Sequence, residues 1–415
     1  MLSTEGEFAA FADIVVDAYP ALFDRSPESR RKLTRQLRDL AETEPAITFW
    51  GLFRPVKGQE RLLGGMRLFD FQMNLLDTQV PLGAVGQVGV ALEHRREHVG
   101  RDLMLFYLRH YRQRGAPLTA LYPFRPDFYR SMGFGYGTKM SRYKLDPATL
   151  PASGDRSLLR RLGAGDREAL QACYTRYAHQ THGMIDKIDH ELDRLFEAHD
   201  RRIVGYEREG RLEGYLVFTY ESGGTYLAYD LRVSELIHET REALKALLTF
   251  LHTHDDQIRR VILTTQDTSL HHMFDDPRDG SDVLISPVYH STDVQGVGIM
   301  YRVVDVPRVF RLLASRNFGG QTCRMKLRVK DTFLPENDGS HLLEIRGGQV
   351  TVVDEMPYDV TVEIDISVFS SLLVGTVTFE RLYAYSLVEI SDPAFVDTVS
   401  RIFSVARKPI CTTSF

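Results

Sequence analysis

The chain has 415 residues, 43% of them apolar and 26% charged. That is too long for one ordinary core and has the balance of a soluble globular protein, so two or three domains are expected. A net charge of −5, with acidic and basic residues interleaved, gives no basic excess of the kind nucleic acid demands. Mild acidity is compatible with cationic substrates without establishing them.

Cys173, Cys323 and Cys411 are far apart in sequence and odd in number. No disulfide framework or cysteine-based zinc site is expected, and a reducing cytoplasm fits best. The acidic stretch 1–7 lacks the basic region of a secretory signal. The longest apolar run, 366–379, has 14 residues with serines, threonines and a glycine among them. A membrane helix needs about 20.

Residues 7–18 space their apolar side chains as a helix does, and 26–42 are amphipathic, with Ser26-Pro27 as a start signal. Residues 47–54, 61–71 and 84–91 read as strands, with Lys57-Gly58 and Gly83 supplying turns. Residues 101–114 put Leu103, Met104, Tyr107, Leu108 and Tyr111 on one helical stripe that stops at Gly115. A short strand follows at 118–122. Antiparallel strands followed by strand, helix and strand predict an α/β domain that binds its ligand at strand ends.

A break rich in Pro, Ser and Gly at 146–155 precedes a second segment of the same outline. Its expected helices are 166–177, 189–199 and 239–253, and its strands 203–206, 212–220, 225–233 and 260–263. The remainder changes rhythm. Asp305-Val306-Pro307 opens a helix through Leu313, strands follow at 324–329, 342–345, 350–353 and 360–364, and a helix at 394–403. This reads as a separate α+β domain. The expected domains are therefore 1–150, 151–302 and 303–415.

The segment richest in chemistry is Val88-Gly89-Val90 followed by His94-Arg95-Arg96-Glu97-His98-Val99-Gly100-Arg101. Val88 and Val90 share one side of a strand whose main-chain groups can pair with an extended arm such as pantetheine. The turn then offers N–H groups at a helix N-terminus, where the dipole favours anions. Arg95, Arg96 and Arg101 add charge-assisted bonds to a pyrophosphate. The plain alternative is a solvated basic turn before an ordinary helix. The second copy has no such turn, since Tyr229-Asp230-Leu231-Arg232-Val233 runs into Ser234-Glu235-Leu236-Ile237-His238.

Arg95 and Gly100 match the first and last positions of Q/R-x-x-G-x-G/A. On them the segment resembles the coenzyme A binding motif of the GCN5-related N-acetyltransferases (GNAT). His98 stands at the motif's first glycine. Its side chain either crowds the pyrophosphate or is harmless if the backbone keeps ordinary helical angles. The wider pattern is His94-Arg95-Arg96, then Phe128-Tyr129 and Gly133-Phe134-Gly135, then the ending Cys411-Thr412-Thr413-Ser414-Phe415. It resembles the enhanced intracellular survival (Eis) family of acetyltransferases over essentially the whole chain.

The resemblance implies an α/β and α+β protein: tandem GNAT-fold domains, the second with a degenerate cofactor site, then a sterol carrier protein-like C-terminal domain. It implies acetyl-CoA as donor, amines such as those of aminoglycosides as acceptors, and a homo-hexamer. Two roles are also implied. Tyr129 is the general acid, because a phenol with a pKa of about 10 can give its proton to the departing thiolate. The C-terminal carboxylate of Phe415 helps take the proton from the attacking amine. Its ordinary pKa of about 3.5 makes it a weak base in water, and a partly desolvated pocket raises it. Without the resemblance, Tyr129 reads as a packed aromatic of the Phe128, Phe134, Tyr136 cluster, and Phe415 as a frayed terminus.

The reading is an acetyl-CoA-dependent N-acetyltransferase acting by direct transfer on polycationic small-molecule amines, aminoglycoside- or polyamine-like. It calls for no metal, nucleic acid or membrane. A non-catalytic carrier of apolar ligands and a protein lysine acetyltransferase are the alternatives. His179 and His182 with His190, His252 with His254, and His271 with His272 lack metal-ligand spacing and read as solvated loops.

Overall fold

The computed structural model describes residues 1–56, 58–225 and 228–415. Lys57, in the expected 57–58 turn, and residues 226–227, inside the expected strand 225–233, lie outside the described residues.

Thr4 opens α1 (Glu5–Ala18) with a capping box: its hydroxyl accepts from Glu7 N–H at 3.3 Å, and Glu7 Oε2 accepts from Thr4 N–H at 2.9 Å. Ser26 caps α2 (Pro27–Thr43) by accepting from Ser29 N–H at 3.2 Å. An antiparallel meander follows: β1 (Ile47–Val56), β2 (Gln59–Leu75) and β3 (Thr78–Val90). Then come α3 (Val99–Gln113), β4 (Leu118–Leu121), α4 (Pro126–Arg130) and β5 (Gly135–Tyr136).

The middle stretch holds β6 (Met140–Leu145), β7 (Leu159–Arg161), α5 (Arg167–Gln180), α6 (Asp189–Glu197), β8 (Arg202–Arg208) and β9 (Arg211–Thr225). It continues with β10 (Ala228–His238), α7 (Arg241–His252), β11 (Ile258–Thr265) and β12 (Asp293–Gly296). The last stretch has β13 (Met300–Val303), α8 (Val306–Leu312), β14 (Cys323–Lys330), β15 (Gly339–Arg346), β16 (Gln349–Val353) and β17 (Val360–Asp365). It ends with α9 (Ile366–Leu373), α10 (Phe379–Ala384), β18 (Val388–Ile390) and α11 (Val396–Ile402).

Residues 1–137, 299–408 and Phe415 form one compact unit, and residues 138–298 and 409–414 form another. Among the described residues, the first unit holds a six-stranded sheet, β1-β2-β3-β4-β13-β5, and a five-stranded one, β16-β15-β14-β17-β18. The second unit holds seven strands in the order β12-β6-β11-β10-β9-β8-β7.

The sheets cross the expected boundaries at 150 and 302. β6, expected with the first domain, pairs with β11 and β12, while β13, expected to end the second, sits between β4 and β5. All four residues of β13 are buried, so it takes an interior slot of a sheet.

The α3 stripe of Leu103, Met104, Tyr107, Leu108 and Tyr111 is buried, as its spacing predicts. Each such side chain contributes roughly 2 kcal/mol. Close approach demands glycine beneath it: a Cβ on Gly83 would fall 2.1 Å from the Tyr111 ring. On the opposite face α1 lies nearly as close, with a Cβ on Gly65 falling 2.7 Å from Phe11. In the last sheet β14 and β17 run parallel, and their buried residues Met325, Leu327, Val360, Val362 and Ile364 alternate with exposed or half-buried ones. The apolar run 366–379 is the wholly buried helix α9 followed by a turn. No described helix is long and apolar enough to cross a membrane.

Candidate active site

β3 and β4 pair in parallel only from Leu82 and Leu118 to Ala84 and Ala120. The buried Tyr107 hydroxyl lies 3.0 Å from both the Gly83 and the Ala120 carbonyl oxygens, spanning the two strands where their pairing ends. Beyond that point β3 keeps β2 on one side and has no strand on the other. A bulge at Gln87 and Val88 adds a residue opposite Met66, with Gln87 in the left-handed region (φ 49). Ala91 N–H bonds Leu63 O on the β2 side at 2.9 Å. By alternation, the main-chain groups of Val90 and Val88 point to the open edge. One of them is already used, because the Tyr19 hydroxyl donates to Val88 O at 3.1 Å.

The turn at 91–98 bears on the two readings of His98. Ordinary helical angles at His98 would have made its side chain harmless, but His98 has φ 63 and ψ 5, and Arg96 has φ 67. Both stand in the region glycine favours, at about 1 kcal/mol each. His98 is the N-cap of α3 and makes no side-chain cap. Asp102 N–H is the first to bond within the helix, to His98 O at 3.0 Å. The N–H groups of Val99, Gly100 and Arg101 therefore have no intrahelical acceptor. A Cβ on Gly100 would stand 3.7 Å from Val90 Cγ2, an ordinary contact, so packing does not require that glycine.

Charge at the turn is sorted. Glu97 meets Arg54 at 2.9 Å and His94 at 3.3 Å, and these bonds, Arg54 first, hold its carboxyl below the usual range. Glu93 pairs with Arg61. Arg95 and Arg96 are exposed and, among the described residues, stand in no ion pair. Arg101 lies apart from them, its guanidinium carbon 5.6 Å from the centre of the Phe333 ring. A bare helix N-terminus, two unpaired arginines and an unpaired strand edge fit a pyrophosphate with an amide-bearing arm. The left-handed His98 is the misfit.

Tyr129 is the inward residue of α4. It is 9% exposed and packs edge-on against Phe128 at 5.3 Å and Phe134 at 6.1 Å. The same apolar cluster holds Val85, Val99 and Met104, with Val88 and Val90 against it. Burial, with a smaller contribution from Tyr19, pushes its phenol up to about 12. The hydroxyl is thus protonated at any ordinary working pH, as a proton donor requires. Tyr136, its nearest rival in sequence, is 41% exposed and lies under Arg130.

Phe415 is half-buried, not frayed. Its ring lies 5.0 Å from Tyr122, 5.5 Å from Phe71 and 5.6 Å from Phe69. Its carboxyl carbon stands 3.4 Å from where a Cβ on Gly86 would be. Gly86 immediately precedes the bulge, on the stretch of β3 that β4 has left. Phe415 therefore lies against the stretch of β3 that β4 has left.

Sequence reasoning missed Tyr19 and Arg67. Arg67 pairs across β2 and β3 with Gly86, and its guanidinium carbon lies 4.5 Å over the Phe69 ring. Burial raises the Tyr19 phenol, and Arg67 pulls it back. Neither carries a local signal, since a tyrosine ending a helix and an arginine in a strand acquire a role only through distant partners. Two concavities elsewhere contain neither Tyr129, Phe415, Tyr19, Arg67 nor a residue of the 88–101 segment. One of about 170 Å³ is lined by Asp146, Arg260, Asp276 and His290, and an open groove of about 690 Å³ by Asp127, Arg130, Tyr136, Asp365 and Leu387. Among the described residues no group of three or more His, Cys, Asp or Glu side chains is placed to hold a metal ion.

Residues 2–137 match the acetyltransferase (GNAT) domain, residues 182–303 a further acetyltransferase (GNAT) domain, and residues 309–412 the sterol carrier protein domain. Two GNAT domains followed by a sterol carrier protein domain make the chain, by class, an N-acetyltransferase that uses acetyl-CoA. No curated protein matches its sequence. Among solved structures it is similar to a GCN5-related N-acetyltransferase from Anabaena variabilis, with TM-score 0.80 and 17% identity over 100% of this chain and 98% of that one. It is similar to a probable N-acyltransferase from Enterococcus faecalis, with TM-score 0.79 and 19% identity over 100% and 98%. It is also similar to Eis1 from Mycobacterium abscessus, with TM-score 0.73 and 21% identity over 100% and 99%. At these identities the likeness is one of fold.

Proposed function

We propose that the first domain transfers acetyl from acetyl-CoA directly to an amine, with Tyr129 as general acid and the Phe415 carboxylate as base. Acetyl-CoA supplies a thioester whose carbonyl accepts the amine and whose thiolate leaves. Val88 and Val90 offer main-chain groups to its extended arm. The N–H groups of Val99, Gly100 and Arg101, with Arg95 and Arg96, take its pyrophosphate. The Tyr129 phenol stays protonated and gives its proton to the leaving sulfur. The Phe415 carboxylate orients the acceptor's ammonium and receives its proton, directly or through water.

The observation that carries this reading is the carboxyl of Phe415 beside Gly86, next to the bulge where β3 and β4 part. The likeness to Eis1 supports the finer statement that the chain is an Eis-type enzyme. On that reading the acceptors are polycationic small molecules, aminoglycoside- or polyamine-like, and the protein is a homo-hexamer of the cytoplasm.

The test adds one residue after Phe415. The expected result is a fall in kcat of roughly 100-fold, the lower range for loss of a general base, with KM for acetyl-CoA unchanged. Unchanged turnover removes the terminal carboxylate from the mechanism. A parallel screen of polyamines, aminoglycosides and lysine peptides, read by thiol release, decides the acceptor class.

A further inference from the structure

Arg302 on β13 and Asp331 just after β14 form a fully buried pair, both side chains 0% exposed. Arg302 Nη2 donates to Asp331 Oδ1 at 2.7 Å and Oδ2 at 2.8 Å. A buried pair is weak evidence for stability, since apolar residues of like volume often serve as well. Its remaining bonds say more. Arg302 Nε donates to the Met132 carbonyl at 2.7 Å, and Nη1 to that of Val303 at 3.2 Å. Asp331 Oδ1 accepts from Leu334 N–H at 2.9 Å, and Oδ2 from Asn337 Nδ2 at 3.2 Å. Asn337 also donates to Val303 O at 3.1 Å and accepts from Val306 N–H at 3.1 Å. The network is satisfied at every member, the condition under which buried polar groups rigidify their surroundings.

What it rigidifies is the loop after α4. Met132 N–H and Phe134 N–H both bond the Tyr129 carbonyl, at 3.0 and 3.1 Å. The Met132 carbonyl is the loop's outward acceptor, and Arg302 takes it. Gly133 lies between, with φ 86, and a Cβ there would fall 2.9 Å from Arg302 Nε, so the guanidinium rests against the loop backbone. The strand carrying Arg302 also pairs on one side with β4 at Thr119 and on the other with β5 at Gly135. One side chain thus ties the Tyr129 loop to a carboxylate that belongs to the sterol carrier protein domain.

We propose that Arg302 and Asp331 are positioning residues for Tyr129: Asp331 aims the guanidinium, the guanidinium fixes the Met132 carbonyl, and the fixed loop presents the phenol. The sterol carrier protein domain thereby sets the geometry of the first domain's proton donor. This rests on the assignment of Tyr129 as general acid.

The test pairs Arg302→Lys, which keeps the charge and loses the fork, with Asp331→Asn, which keeps the shape and loses the charge. Each is measured alone and with Tyr129→Phe, on the full chain, with acetyl-CoA and a reactive amine. In the native background kcat should fall roughly 10- to 100-fold, as for a displaced catalytic group, with KM for acetyl-CoA changed less than about twofold. In the Tyr129→Phe background the same substitutions should lower kcat no further. An equal loss in both backgrounds, or an unchanged kcat in a folded variant, overturns the proposal. If Tyr129→Phe is itself silent, the acid assignment falls, and fluorine NMR of 3-fluorotyrosine at position 129 decides the positioning separately. A single narrow line that broadens or splits in either variant supports it, and an unchanged line overturns it. Should Arg302→Lys fail to fold, Asp331→Asn carries the same readouts.

Discussion

In the first GNAT domain β3 pairs with β4 as far as Ala84, bulges at Gln87, and continues to Val90 with one edge open. In the second, β10 pairs with β11 as far as Val233, shifts register at Ser234, and continues to His238. The layout is repeated, and the divergence lies in what joins strand to helix. An eight-residue turn, 91–98, which carries Arg95 and Arg96, brings α3 to a start without a side-chain cap. Two residues suffice to reach α7. There the Thr240 hydroxyl accepts from Ala243 N–H at 3.2 Å and donates to Glu213 Oε2 at 3.2 Å. Glu239 stands beside it, holding Arg176 and Arg211 at 2.7 Å. Both helices have the same dipole, and an anion meets bare donors at one and a closed cap with two carboxylates at the other. On the proposed reading, binding is a property of the connection, and repeating the fold does not repeat it.

The largest effect expected is at Tyr129, the general acid of the proposed mechanism. Tyr129→Phe should lower kcat roughly 100- to 1,000-fold while leaving KM for acetyl-CoA near its native value. Because burial raises the phenol to about 12, its ionisation cannot produce an alkaline fall in kcat below about pH 11. The rate should instead rise with pH as the acceptor amine loses its proton. An alkaline limb near pH 9 that disappears in Tyr129→Phe would contradict the raised pKa and leave the acid role standing, whereas a Tyr129→Phe variant with native kcat would contradict the assignment. The stability sign follows the same shift. The unfolded phenol ionises near 10 and the folded one near 12, so Tyr129's contribution is whole below pH 10 and is lost as pH rises through 12.

A half-buried carboxyl in the second domain gives the next largest effect and the most direct way to break the comparison. Burial lifts Glu191 to about 7, against the pull of Lys187. A carboxyl titrating near neutrality is also what a catalytic base looks like. On the present reading it is structural. Its folded pKa is raised, so the stability it permits is complete below pH 4.5 and is lost as pH rises through 7. Glu191→Gln should therefore match the native protein near pH 4 and exceed it at pH 8 by up to about 3 kcal/mol in denaturant unfolding. Its kcat should stay within about threefold of native. A large loss of kcat with stability gained would make the second domain a participant in the chemistry.

Much of this architecture is legible in the residues, and the exceptions share a cause. The α3 stripe, the Ser26 cap and the buried character of the 366–373 helix all follow from local periodicity or capping chemistry. The exchange of β6 and β13 between sheets does not, because a run of four to six apolar residues says that a strand is buried and not which strand it pairs with. The basic turn and the aromatic terminus are visible as residue types. That Phe415 meets Gly86, that Tyr19 reaches Val88, and that Arg302 crosses to Met132 are contacts between distant segments with no spacing rule to announce them. At His98 the sequence displays the departure from glycine and conceals its backbone angle, which decides what the departure means.

The smallest effects test the two helix starts against each other. Gly100 has ordinary helical backbone and room for a methyl group. Gly100→Ala should stabilise the free protein by about 0.5–1 kcal/mol. The motif allows alanine here, so KM for acetyl-CoA should stay near native in Gly100→Ala. If phosphate oxygens approach the N–H groups of the first turn, the bulkier Gly100→Val stands in their way and should raise that KM roughly tenfold, a loss of about 1.4 kcal/mol. An unchanged KM in Gly100→Val would move the pyrophosphate off this turn. His98→Gly and Thr240→Ala then form a pair of opposite sign. The first removes a side chain from left-handed backbone and should raise stability by about 1 kcal/mol. The second deletes the cap of α7 and should lower it by about 1 kcal/mol. Only the first should alter the affinity for acetyl-CoA, measured by calorimetry. Left-handed angles at a non-glycine residue are tolerated where the surrounding structure gains from the turn they make. If His98→Gly leaves both stability and affinity unchanged, the turn's shape is incidental, and the contrast with α7 reduces to charge alone.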